Sequence, residues 1–230
     1  MSKNGANFDW VNNFPSMVRE LGYNLEYDLK PNNCGTVLRF LGFFNTGRMG
    51  NYDSALELAA LTGTTPNILA VEGLGGTKYG FAFNFEQPLA NDGETGIFGR
   101  AGWNDGHDES WMYVECDWHA SLGVQVSGVN WKRPDDRVGV AYGVNGLSGP
   151  HQDYLAAGGI GMLLGDGALN YGLEQALEVY YSFLVCKYDI FGLPASFTVT
   201  PDYQLIVNPG FNTDRGPLVN VLGVRMRLLW

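Results

Sequence analysis

Between Leu222 and Trp230 the apolar side chains fall on every second position: Leu222, Val224, Met226, Leu228 and Trp230. Arg225 and Arg227 take the other parity, and the chain ends on the aromatic. A period of two is the signature of a β-strand, whose successive side chains point to opposite faces. A closing strand that is greasy on one face and carries arginine on the other suits the wall of a bilayer-spanning barrel. A soluble sandwich alternates as well, so the rest of the chain has to separate the two.

The same period recurs in about nine segments, the length of each matching a tilted barrel stave. Upstream of the terminal strand they run over Tyr23 to Leu29, Gly35 to Asn45, Lys78 to Gln87, Thr95 to Trp103, Ser121 to Val129, Arg137 to Asn145, Ala176 to Cys186 and Ser196 to Asn208. The cleanest sets Tyr79, Phe81, Phe83 and Phe85 against Gly80, Ala82, Asn84 and Glu86. The seventh also tolerates a helical reading near Leu173 to Leu177. Turn-forming residues give short connections at Lys30 to Asn33, Leu89 to Glu94, Lys132 to Asp136 and Asp189 to Pro194. Long connections lie at Thr46 to Thr77, Asn104 to Ala120, Gly146 to Glu174 and Pro209 to Pro217. Short turns alternating with long loops are the outer-membrane pattern, and they place the C-terminus on the periplasmic side. A sandwich has no reason to sort its loops by end.

Composition is consistent with this. Mean hydropathy is -0.10, which excludes a helical membrane protein but not a barrel, because half of each barrel strand faces water. A net charge of -10 argues against a nucleic-acid partner. The three cysteines, Cys34, Cys116 and Cys186, form neither a metal motif nor a disulfide framework and read as small packing residues. The N-terminus lacks the basic-then-apolar stretch of a secretory signal. The longest connection should hold a helix, capped by Asp53 or Ser54 with Glu57 closing the box. Such a helix packs on the surface or constricts the lumen.

Several ordered motifs resemble the carbohydrate-selective (OprB-like) porin family. They are FGRAGWNDG at Phe98 to Gly106, the Trp131 to Asp136 turn, VNGLS at Val144 to Ser148, and the long run from His151 to Gln175. The tail from Tyr180, YYSFLV followed by TPDYQLIVNPGFNTDRGP and VLGVRMRLLW, resembles the family's end. The resemblance implies a sugar-uptake barrel of the Gram-negative outer membrane, of about sixteen strands, and covers its C-terminal half. Residues 21-230 then form the C-terminal portion of the barrel, and 1-20 a loop or leader. Nine strands cannot close an antiparallel barrel, because first and last would meet parallel; the expectation is an open partial barrel from a fragment or truncated product.

No catalytic constellation connects His107, His119 and His151, so no enzyme activity, cofactor or metal is expected. The acidic run Asp105 to Glu109 reads as a solvated loop rather than a cation site. Sugar transport needs lumen groups that exchange hydroxyls for water without holding them tightly. Alternation nominates Glu26, Asp28, Arg39, Glu86, Arg100, Gln125, Glu178, Tyr180, Asp202, Gln204, Arg225 and Arg227 as pore-lining. Four of the nine arginines are in that set, and none of the five lysines is expected mid-strand. Guanidinium forks bond vicinal hydroxyls, carboxylates accept from them, and Tyr180 offers a face for a sugar ring. Tyr23, Phe85, Trp103, Tyr142, Tyr181, Tyr203 and Trp230 read as interface girdle, with Trp230 also a C-terminal assembly signal. The expected partners are mono- or oligosaccharides and outer-membrane lipid, with a homo-oligomer allowed. The alternatives are a soluble all-β carbohydrate-binding domain and a porin remnant without activity.

Overall fold

A computed structural model describes residues 22–31, 35–110, 115–190, 193–216 and 218–229. Cys34, Trp230 and the segment 1–20 lie outside the described residues. The strands are β1 (Gly22–Leu29), β2 (Val37–Met49), β3 (Gly73–Ala90), β4 (Thr95–Asn104), β5 (Trp118–Ser127), β6 (Arg137–Gly146), β7 (Glu174–Ile190), β8 (Leu193–Val207) and β9 (Leu218–Leu229). They form one antiparallel sheet in sequence order. β1 and β9 are its edges, and they do not pair with each other among the described residues. The sheet is open.

Most strands run longer than the apolar alternation indicated. β3 begins at Gly73 rather than Lys78, and β7 spans Glu174–Ile190 with no helical start at Leu173. β-pairing with two neighbours carries the glycine-rich and charged ends along with the apolar centre. Lys78 and Lys187 therefore sit inside strands, against expectation. A bulge between Leu184 and Cys186 adds one residue to β7 and inverts the parity beyond it. Cys186 is exposed rather than packed, while Cys116 is half-buried.

The apolar parity faces outward. Leu222 is 84% exposed, Leu25 76% and Phe81 60%, and Leu122, Val140 and Met226 are exposed with them. A soluble sandwich would cover this face with a second sheet. Here all nine strands belong to one layer. Among the described residues no helix is long and apolar enough to cross a membrane, which says nothing about crossing by strands.

The main buried cluster is not on the sheet at all. It joins Tyr52, Ala55, Ile68, Leu147, Tyr154, Leu155, Leu164 and Phe211, all from the long connections at one end. Helix α1 (Tyr52–Thr62) supplies Tyr52 and Ala55, and helix α2 (Gly149–Ala156) supplies Tyr154 and Leu155. α1 is capped not by Asp53 or Ser54 but by Asn51, whose side chain accepts from the Ser54 amide at 3.1 Å. It ends at Gly63 in the left-handed region, φ 67°, where glycine is least strained. α2 has Ser148 as its cap and Pro150 in its first turn, a start signal the strand reading passed over. The loops of one end thus form a packed cap.

Candidate functional site

The pairing register assigns every strand residue to a face, since directly opposed residues point the same way. One row runs Asp28, Arg39, Asn84, Arg100, Ser121, Gly143, Ala176, Ile206 and Val219 across the whole sheet. Counting in twos from that row puts Glu26, Asp28, Arg39, Glu86, Arg100, Gln125, Glu178, Tyr180, Asp202, Gln204, Arg225 and Arg227 all on this polar face. Trp103, Tyr142 and Tyr203 lie on the apolar face, where Trp103 and Tyr142 are exposed. The alternation had this much in it.

What alternation could not show is which charges are tied. Arg39 donates to Asn84 Oδ1 at 2.7 Å and to Glu86 Oε1 at 2.5 Å, with Asp28 3.7 Å away. Arg137 binds Glu94 across the short-turn end. Arg100, Arg225 and Arg227 make no hydrogen bond or ion pair among the described residues. Tyr180 lies over Gly139, where a Cβ would meet its ring at 2.2 Å, and donates from its hydroxyl to Gln125 Oε1 at 3.0 Å. The polar face therefore offers a fixed acid–arginine knot on β1 to β3, three unengaged guanidinium forks, and one oriented aromatic ring.

A recess of about 370 Å³ opens where this face meets the cap, lined by Phe43, Asn45, Lys78, Asn104, Asp117 and His119 among others. The sequence reading omitted Asn45, Asn84, Lys78 and His119 from the polar set. Parity alone places Asn45, Asn84 and His119 there, and His119 precedes the Ser121 start that alternation gives the fifth strand. Lys78 is buried, donating from Nζ to the Asp108 carbonyl at 2.7 Å with Asp117 Oδ1 at 3.9 Å.

The acidic run is not a solvated loop. Asp108 is buried and accepts from the Thr77 amide at 3.0 Å and from Asn51 Nδ2 at 2.8 Å. Glu109 accepts from the Gly50 amide at 2.7 Å. These carboxylates stitch the β4–β5 connection to the β2–β3 connection. Beside them His151 Nδ1 donates to Asp117 Oδ2 at 3.0 Å, and Ser148 N donates to the same oxygen at 2.8 Å. The imidazole stacks on Tyr52, centroids 4.4 Å apart. Burial alone pushes the Asp117 carboxyl up, but the His151 hydrogen bond, the Ser148 amide and Lys78 together hold it below the ordinary aspartate range. His151 is 0% exposed and Ser148 Oγ is committed to the Gly106 carbonyl at 2.6 Å, so this is a pin and not a hydrolytic triad. The pair lies 34 residues apart in sequence, a separation that carries no motif.

The profile of the carbohydrate-selective porin, OprB family, matches residues 2–228. Among solved structures, the high-pH structure of Pseudomonas putida OprB matches with a TM-score of 0.65 at 16% identity, covering 99% of this chain and 51% of that one. That likeness is one of fold, and this chain spans about half the length of the structure it matches. No curated protein matches the sequence.

Proposed function

The chain belongs to the carbohydrate-selective porin family OprB, and from that premise we propose that its nine strands form part of the wall of an outer-membrane pore through which mono- or oligosaccharides diffuse passively. The observation that carries the reading is the sorting of the sheet. The twelve polar side chains that alternation nominates share one face with Asn45, Lys78, Asn84 and His119, while the other presents exposed leucine, valine and aromatic side chains that lipid covers without cost. On this reading the polar face looks into the lumen of a barrel in the Gram-negative outer membrane. Arg39 and Arg100 then have different tasks. The tied Arg39 keeps three polar partners aligned on the wall, whereas the unengaged Arg100 exchanges water for sugar hydroxyls. Trp103, Tyr142 and Tyr203 anchor the apolar band at the headgroup level.

The test is electrical. In planar bilayers reconstituted with the protein, R100A should shift ion selectivity towards cations and change the block of current by added sugar. R39A should do the same and also raise open-channel noise, because Glu86 and Asp28 lose their common partner. Parental conductance and sugar block in both variants would remove these residues from the pore lining.

A further inference from the structure

We propose that the polar face carries a separate site for the anionic group of acidic sugars, phosphorylated or carboxylated, in a recess at the short-turn end of β6 to β9. It rests on the pore reading only in that the recess must face the lumen to be used in transport.

The recess has a volume of about 520 Å³ and is lined by Arg137, Lys187, Arg225 and Arg227, with hydroxyls from Ser196, Thr198 and Thr200 between them. Thr198 is register partner to Arg227, and Thr200 to Arg225, so hydroxyl and guanidinium alternate on one surface. Thr200 is buried and its Oγ1 donates to Ser182 Oγ at 3.0 Å, which fixes that corner. Lys187 reaches this face only because of the β7 bulge; without the extra residue its parity would point it outward.

Four cations here face one carboxylate, Asp135, in a chain whose net charge is -10. Asp135 is held by Lys187 Nζ at 2.8 Å, and Arg137 is held by Glu94. Arg225 and Arg227 are left over, two residues apart on one strand and unpartnered among the described residues. Asp202 is the nearest acid along the inner face of β8. Its carboxylate leans over Gly223, where a Cβ would meet Oδ2 at 2.5 Å, and among the described residues it forms no ion pair with Arg225. Two adjacent guanidinium forks without an anion are matched to a group with several oxygens, since each fork bonds two of them in parallel.

The tier above has the opposite sign. Asp202 follows Thr200 along the same face, one strand repeat of roughly 7 Å further from the short turns, and Gln204 with its register partner Glu178 lies roughly 7 Å beyond that. Carboxylates accept from hydroxyls and repel a second anion. A sugar acid therefore fits in one orientation only, with its anion in the cationic tier and its hydroxyls on the acidic one. A neutral sugar has nothing to distinguish the tiers.

The experiment is a binding titration of the full chain folded in nonionic detergent, with glucose 6-phosphate, glucuronate, inorganic phosphate and glucose as titrants. Both acidic sugars should bind at least about tenfold more tightly than glucose at low salt, and the margin should shrink as salt is added. R225Q/R227Q should abolish that preference, while R215Q, which removes a cation from the β8–β9 loop, should keep it. Equal affinity for glucose and glucose 6-phosphate, or a preference that survives in R225Q/R227Q, overturns the proposal. Inorganic phosphate binding as tightly as glucose 6-phosphate also overturns it, by showing that the sugar adds nothing. Absence of glucose flux in vesicles would count against the pore reading alone and leaves this comparison intact.

Discussion

Arginine at Val140 should prevent the protein from inserting and folding in lipid vesicles, while arginine at the next residue, Ala141, should not. The two side chains are neighbours in β6 and point to opposite faces. Val140 lies on the exposed apolar face and pairs with Val124 and Val179; Ala141 lies on the polar face, opposite Glu178. On a lipid-facing surface a buried guanidinium costs about 2–4 kcal/mol near the bilayer midplane. In water, an arginine at a partly exposed strand position changes stability by only about 0.5 kcal/mol. The opposite pairing with Glu178 should make A141R neutral or slightly favourable. Folding yield, read from heat-modifiable gel migration after refolding into vesicles, separates the cases. Equal yields for V140R and A141R would mean that both faces of the sheet meet water, and the membrane reading would fail with them.

The second large effect lies in the cap. Asp117→Ala removes the acceptor for His151 Nδ1 and for the Ser148 amide and takes away the carboxylate nearest Lys78. Breaking a buried ionic pair by deleting one partner costs roughly 3–5 kcal/mol, because the groups left behind are buried without partners. The loss should fall on the loops, not on the sheet, since alanine keeps the backbone bonds of residue 117 to Asn104 and Gly146, whereas the side-chain partners His151 and Ser148 belong to the β6–β7 connection. Cleavage of the long connections by added protease should therefore speed up at least tenfold, while heat-modifiability of the barrel portion stays parental. Unchanged cleavage would show that the cap does not depend on this pin.

The same site gives the cap a pH dependence with a definite sign. Asp117 titrates lower in the folded protein than its ordinary value of 3.8, so its ionised form is favoured by folding. Its contribution is complete above that ordinary value and is lost as the pH falls through the lower folded one. The part of the long loops' protection that Asp117 supplies should hold from neutrality down to about pH 4 and decline below it, whereas Glu109, whose carboxyl is pushed up by burial, acts in the opposite sense. In Asp117→Asn that acid-side decline should shrink, whereas an unchanged decline would assign it to other carboxylates.

Strand existence and facing were legible along most of the chain because both are local properties. Whether Phe81 points with Phe83, or Arg225 with Arg227, depends only on a two-residue repeat within one strand. The extension of β3 back to Gly73 was not legible, because glycines there pair by backbone hydrogen bonds that leave no trace in hydropathy. The Asn51 cap was missed for a related reason: Asn51, Asp53 and Ser54, within four positions, all satisfy the same start signal, and only the backbone angles choose among them. The acidic run was misread as solvated because its partners, Gly50 and Asn51 in the β2–β3 connection and Thr77 at the start of β3, precede it by a whole hairpin.

On its own, then, the amino-acid order determined the sheet and its two-sidedness, from the unbroken alternation of Tyr79 to Glu86 and of Leu222 to Leu228. The tertiary structure decided the rest: that the buried core is built from loops, that His151 and Asp117 meet, and that Arg39 is bound while Arg225 and Arg227 have no partner among the described residues. Alternation is a relation between neighbours two residues apart, so it is written into the chain. Contacts between segments tens of residues apart depend on strand register and on a single inserted residue in β7, and those arise only when the strands pair.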